Sequence, residues 1–260
     1  MAIDIVKDKK TIESLFAGWD EACIWSCLQD YQGIAYTNNK DNPQSAQIIL
    51  GNFCYFGGIG CEELVRNIPA EYPSDSIIMT PQNEQWAKLI ESVWQDKAIG
   101  RMRYATKKDP NAFDEAKLQE IVAGLSDGFV VEMIDQELYK QTMKLSWAKD
   151  WCGNYASYED YEKNGLGVAI LENGKVVAGA SSYACYQGGI EIEIDTHKNY
   201  RQKGLATVAG AMLILECLKR KLYPNWDAQN KISLMTAKKL GYEFSEEYIA
   251  YDVLRKSNKI

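Results

Sequence analysis

The chain has 260 residues, 29 basic against 36 acidic side chains, a net charge of −7 and 46% hydrophobic residues. That length can bury one large core or two smaller ones, and the composition excludes wholesale disorder. The acidic balance argues against a general nucleic-acid binder, which would carry a basic stripe, and it suits a cationic or amine partner.

In chain order, residues 11–28 read as a helix, with Cys23 and Cys27 packed one turn apart. "SAQIIL" and "FCYF" read as strands and "EELVRNI" as a helix, while Gly57, Gly58 and Gly60 between the last two read as a tight turn. "SIIMT" is a strand, and Pro81 is expected in the first turn of the helix "QNEQWAKLIESVW". A strand near "AIGRMRYAT" and a helix near "FDEAKLQEIVAGL" complete the first half, and "GLSDG" (124–128) marks the expected boundary between domains 1–125 and 126–260. "FVVEMI" then reads as a strand, followed by a helix from about Asp135. Ser157 reads as an N-cap with Asp160 three residues on. "LGVAIL" and "KVVAGASSYACY" flank Asn173-Gly174, the signature of a tight hairpin. No repeat at a fixed period is visible.

The informative stretch is "IEIEIDTHKNYRQKGLATVAGAMLIL", 190–215. Strand alternation sets Glu191, Glu193 and Asp195 on one face and Ile190, Ile192 and Ile194 on the other. Three acids on one face imply solvent, ion pairs or a cleft, because a strand covered on both sides would be apolar throughout. The helix from Gly204 to Leu218 is apolar nearly all round and should be buried. Its first turn offers unpaired amides and a partial positive charge, Gly204 opens the backbone, and Arg201 and Lys203 add charge, a combination suited to phosphate. Neither a P-loop nor a G-x-G-x-x-G fingerprint is present.

The run Arg201-Gln202-Lys203-Gly204-Leu205-Ala206 resembles the pyrophosphate loop of the GNAT N-acetyltransferases, Q/R-x-x-G-x-G/A. "NWDAQNKISLMTAKKLGYEF" resembles that family's N-x-x-S/A followed by a helix ending in G-F/Y, through Asn230, Ser233, Gly241 and Tyr242. "EIEIDTHKNYRQKGLAT", "LILECLKRKLYPNWDAQN" and "SYEDYEKNGLGVAIL" resemble the branch that includes the zwittermicin A resistance protein. The resemblance covers 126–260 and, through "GNFCYFGG", extends more thinly to the first half. It implies an α/β fold of the α+β kind, a mixed sheet whose fourth and fifth strands splay apart around the cofactor. The N-terminal α/β domain has an uncertain role, a degenerate half of the same fold being one form it could take.

By the same resemblance the cosubstrate is acetyl-CoA, held by Ile194, Asp195, Thr196, Arg201, Gln202, Lys203, Gly204, Leu205, Ala206, Asn230 and Ser233. The acceptor is a small-molecule amine, an aminated antibiotic or metabolite, with no nucleic acid or membrane as partner and a monomer or homodimer as the assembly. Amine acylation needs a base, because an ammonium has no lone pair and its pKa lies near that of lysine, about 10. Glu191 is the first candidate and Glu193 the second. The family's usual tyrosine acid falls at Ala237, leaving Tyr242, Tyr248, Tyr251, Ser233 or water. His197 is expected to be a solvent-facing loop residue, Trp226 to be packing and Asp227 to be open to a cationic substrate. The alternative is a non-catalytic acyl-CoA-binding or interaction protein. Seven scattered cysteines and a single histidine predict no metal site, and the absence of a long apolar run predicts a cytoplasmic chain.

Overall fold

A computed structural model describes residues 3–255. The chain forms two compact units, one made of residues up to Arg103 together with those from Tyr248 on, the other of Tyr104–Glu247.

The first unit contains β1 (Asp4–Ile5), α1 (Ala22–Leu28), β2 (Ile34–Thr37), β3 (Ser45–Leu50), β4 (Phe53–Gly58), α2 (Glu62–Arg66), β5 (Ser76–Pro81), α3 (Glu84–Trp94) and the start of β6 (Ala98–Thr106). β1 to β4 pair as antiparallel neighbours, and β4 then pairs β5 in parallel. Phe56, Leu64, Ile77, Met79, Trp86 and Ile90 form its core. The single helix expected over 11–28 is instead two 3-10 turns, Lys9–Thr11 and Glu13–Phe16, followed by α1. Gly18 at φ +77° breaks the run, a conformation glycine adopts without steric cost. Pro81 closes β5 rather than opening α3. Asn83 is the N-cap, its Oδ1 accepting from the amides of Gln85 and Trp86.

The second unit continues with α4 (Glu115–Ala123), β7 (Phe129–Met133), α5 (Gln136–Met143), α6 (Tyr158–Asn164), β8 (Gly167–Glu172), β9 (Lys175–Tyr186), β10 (Gly189–Thr196), α7 (Leu205–Lys219), β11 (Tyr223–Asn225), β12 (Asp227–Ala228) and α8 (Lys231–Lys239). β13 (Phe244–Leu254) then carries the chain back to the first unit, where Tyr251–Leu254 pair with β5. The sheet order is β11-β10-β9-β8-β7, antiparallel except for the β10–β11 pair. The boundary expected at 125/126 falls inside this unit, between α4 and β7, because α4 packs against α7.

Local signals explain much of this unit. Asn173 and Gly174 turn the β8–β9 hairpin at φ +50° and +75°. Ser157 Oγ accepts from the Asp160 amide, and Asp160 Oδ2 reaches back to the Ala156 amide. The segment 151–166 is fastened to β9 by hydroxyls. Ser181 Oγ donates toward the carbonyls of Trp151 and Leu166 and meets Tyr161 Oη at 2.9 Å, while Ser182 Oγ meets Tyr155 Oη at 2.7 Å.

Trp151, fully buried, lies on Gly179, where an added Cβ would approach Cζ3 of the ring at 2.6 Å and the Val168 carbonyl oxygen at 2.6 Å. Gly179→Ala should therefore cost about 1–3 kcal/mol in urea unfolding, the usual penalty of overpacking. An unchanged midpoint would show that the ring is not seated on this glycine.

Candidate active site

The site begins where β10 and β11 part. They pair in parallel at only three positions, Gly189 with Tyr223, Ile190 with Pro224 and Glu191 with Asn225. The next residues, Asp227 and Ala228, pair instead with Ala105 and Tyr104 of β6. Among the described residues no strand pairs with Ile192–Thr196 on that side, so β10 presents an open edge of backbone donors and acceptors. A bulge on the other side adds to the bend: Glu191 faces Ala184, Ile192 faces Ser182, and Tyr183 is the extra residue. The Tyr183 carbonyl accepts from Asn154 Nδ2 at 3.0 Å.

Glu191 sits at the apex of this opening and is buried. Asn225 Nδ2 donates to its Oε2, and the Asp227 amide donates to its Oε1 at 3.0 Å. Burial and, secondarily, the negative charge of Asp227 push its carboxyl up to about 7, against the pull of the two hydrogen bonds and Lys108. Further along the same face, burial pushes Asp195 up to about 6, against the pull of the nearby Trp151 indole and of the Arg201 charge. Glu193, between them, is half-buried and favours the ionised form of Asp195 through a hydrogen bond. The opposite face behaves as alternation requires, with Ile190 and Ile192 buried and Ile194 packed on the core.

After Thr196 the loop turns through a 3-10 segment, Lys198–Tyr200, into α7. Gln202 and Gly204 have left-handed backbones, at φ +63° and +78°. Gly204 caps α7, and nothing lies within 4 Å of where its Cβ would stand. Its carbonyl accepts from Thr207 and Val208, while among the described residues nothing accepts from the amides of Leu205 or Ala206. Arg201, exposed, returns Nε toward the Thr196 carbonyl at 3.4 Å. The Lys203 ammonium lies over the rings of Tyr200, at 5.0 Å, and Phe129, at 5.7 Å. Thr196 Oγ1, at the end of β10, is buried without a hydrogen-bond partner.

Across the opening, Asn230 Oδ1 caps α8 by accepting from Ile232 and Ser233, both at 2.9 Å. Ser233 Oγ accepts the Trp226 indole N–H at 3.1 Å. Ala237 is buried, so that position offers no acid. The Tyr242 hydroxyl donates to the Pro224 carbonyl at 2.6 Å, and burial raises its pKa far above the ordinary range. In the first unit Tyr251 donates to Glu91 and Tyr248 accepts from Arg103. Of the two candidates in the second unit, Tyr242 has its hydroxyl hydrogen committed to Pro224, while that of Ser233 has no protein acceptor among the described residues. His197 is half-buried rather than solvent-facing, held between Trp147 and Tyr200 at ring distances of 5.6 and 5.8 Å.

Sequence reasoning missed Asn225 and the Asp227 amide, the two groups that hold Glu191. The available signal was the lone polar Asn225 in a short strand placed opposite an acid. Among the described residues, no three His, Cys, Asp or Glu side chains gather as metal ligands, all seven cysteines are free and buried, and no helix is long and apolar enough to cross a membrane.

The raised pKa of Glu191 fixes the sign of a pH effect. The folded carboxyl holds its proton to about pH 7, whereas in the unfolded chain it loses it near its ordinary 4.5. Unfolding then releases a proton in this window, so stability falls as pH rises from about 4.5 to 7. Asp195 acts in the same direction between its ordinary 3.8 and about 6. Glu191→Gln should flatten the dependence in the upper part of the window, measured by urea unfolding at several pH values. Parallel curves for variant and wild type would show that Glu191 titrates normally.

The GNAT acetyltransferase family model matches residues 13–251. An uncharacterized N-acetyltransferase of Bacillus subtilis (strain 168), YdfB, is 25% identical over 264 residues, spanning 94% of this chain and 96% of its own. A GCN5-related N-acetyltransferase-like protein from Streptococcus suis 89/1591, a solved structure, is 42% identical with a TM-score of 0.90, covering 95% of this chain and 98% of that one. A tandem GNAT protein from the clavulanic acid biosynthesis pathway is 10% identical with a TM-score of 0.58, covering 99% of this chain and 100% of that one, a likeness of fold alone.

Proposed function

Since the chain belongs to the GNAT acetyltransferase family, we propose that it transfers the acetyl group of acetyl-coenzyme A to a primary amine of a small molecule. The observation that carries this reading is the parting of β10 and β11 after Glu191 and Asn225, beside the unpaired amides that open α7. The residues present fit the cofactor: open amides, an uncrowded Gly204 and an unsatisfied Thr196 hydroxyl. Bound acetyl-coenzyme A supplies an activated acetyl thioester.

The chain's own groups divide the remaining work. The amides of Leu205 and Ala206, with Arg201 and Lys203, hold the diphosphate at the positive end of α7, and Gln202 shapes the loop. The free edge of β10 at Ile194, Asp195 and Thr196 pairs with an extended amide-bearing arm as a further strand would. Asn230 retains its Nδ2, and Ser233 its hydroxyl hydrogen, for the far side of that arm. The carboxylates of β10 attract the ammonium, and Glu191, with its pKa near neutrality, accepts the proton through water. Glu193, less buried, is the second candidate base. The branch resemblance supports an aminated antibiotic or metabolite as acceptor. The buried Ala237 and the committed Tyr242 hydroxyl favour, as second reading, an acyl-coenzyme-A-binding protein without turnover.

Thiol release from acetyl-coenzyme A against a panel of small amines separates the two readings: amine-dependent release supports transfer, and binding without release supports the second. Gly204→Val should weaken coenzyme A binding at least tenfold by calorimetry, because a β-branched residue is strained at φ +78° and fills the approach to the amides. Unchanged affinity would displace the diphosphate from this loop.

With an active amine identified, Glu191→Gln should lower kcat by about 10²–10⁴-fold while coenzyme A binding survives. The loss should shrink as pH approaches the amine pKa, where more acceptor is already deprotonated. Glu193→Gln should cost less. Near-wild-type rates in both variants would leave the acids a structural role only.

A further inference from the structure

The two units share one order of elements. In the first, β1, α1, β2, β3, β4, α2, β5, α3 and the start of β6 follow each other; in the second, β7, α5 with α6, β8, β9, β10, α7, β11 with the two-residue β12, α8 and the start of β13 do so. The pairings repeat as well. Three antiparallel contacts lead to one parallel contact, β4 with β5 in the first unit and β10 with β11 in the second. The loop after β4, Gly58-Ile59-Gly60, therefore occupies the topological place of the loop that enters α7.

The two places differ in the features a diphosphate needs. β4 and β5 stay paired from Phe53 with Ile78 to Phe56 with Pro81, so that only Gly57 and Gly58 of β4 run past the last pair, against Ile192–Thr196 of β10. The loop amides are already taken: Gly58 donates to Gln82 Oε1 at 3.1 Å, Ile59 to the Gln44 carbonyl at 2.8 Å and Gly60 to Gln85 Oε1 at 3.3 Å. Trp86, fully buried, stacks on Phe56 at 5.1 Å and donates its indole N–H to the Gly58 carbonyl. The helix that follows, α2, has five residues against fifteen in α7, and a short helix gathers little dipole. An added Cβ at Gly57 would meet the Leu15 carbonyl oxygen at 2.8 Å, whereas Gly204 faces open space.

We infer that the first unit is a second copy of the same fold whose cofactor cleft is closed by its own side chains, so that one chain takes one coenzyme A, at the second unit. This rests on the coenzyme A reading of the α7 loop. Gln82 and Gln85 perform in the closed copy the task that a diphosphate performs in the open one, accepting from loop amides, and they do so permanently.

The test uses the full chain with coenzyme A itself, combining equilibrium dialysis with hydrogen–deuterium exchange of the amides. One equivalent should bind per chain, Gly204→Val should remove it, and protection on binding should appear across 197–210 and not across 57–66. A second equivalent, an equivalent that persists at the same affinity in Gly204→Val, or new protection across 57–66 would overturn the closure. The first and last of these leave the α7 site intact as a reading. Absence of any binding would overturn both, because the coenzyme A reading itself would fall.

Discussion

The second unit turns on the carboxylate of Glu191. Its two oxygens hold Asn225, the last residue paired with β10, and the amide of Asp227, the first residue paired with β6. A parallel pair of strands would ordinarily continue until one chain ends, since each further residue satisfies backbone groups that otherwise need water. Here the carboxylate supplies the acceptor that the Asp227 amide loses when the chain leaves β10. The departure is thereby satisfied on one side, and the edge of β10 beyond it is left unclaimed. Opening and anchor are the same interaction.

Trp226, between the two anchored residues, makes the change of partner stable. Its carbonyl accepts from Thr106, its indole N–H donates to Ser233, and its ring packs on Tyr242 at 5.5 Å. It thus ties β6, α8 and the turn before β13 to the point where the strand departs. Gly210 of α7 completes the arrangement, because a Cβ there would stand 2.7 Å from Leu240 and 3.5 Å from the Trp226 ring. An apolar helix with a glycine at that contact can lie close enough for its first turn to face the open edge.

Features written in adjacent residues were legible in the sequence. The alternation of β10, the Asn173-Gly174 turn, the Ser157 cap and the R-x-x-G-x-A loop each depend on a few neighbouring positions, and each stands where expected. Features that depend on distant partners were not. The Glu191 anchor joins positions 34 and 36 residues apart, and a strand alternation cannot say which of three acids will be buried. The break of residues 11–28 rests on one glycine in an otherwise helical pattern. A second copy of the fold in the first half was open only through the family resemblance, because the halves share an order of elements, not a period of residues.

The acids of β10 also explain why the segment laid over β9 is held by hydroxyls. A central strand with carboxylates on one face cannot be sealed there by apolar side chains without stranding charge, and the cost of burying an unpaired charge exceeds what the added apolar contact returns. Ser181, which stands opposite Glu193 in the register, fastens the segment there through Tyr161 and the carbonyls of Trp151 and Leu166 instead. Such a network fixes position strongly while tolerating a polar neighbour. The raised pKa values of Glu191 and Asp195 are the residual expression of that compromise: the face is buried enough to disfavour charge and polar enough to keep both carboxyls near the point of ionisation. Neither a fully solvated strand nor a sealed core would provide that intermediate state.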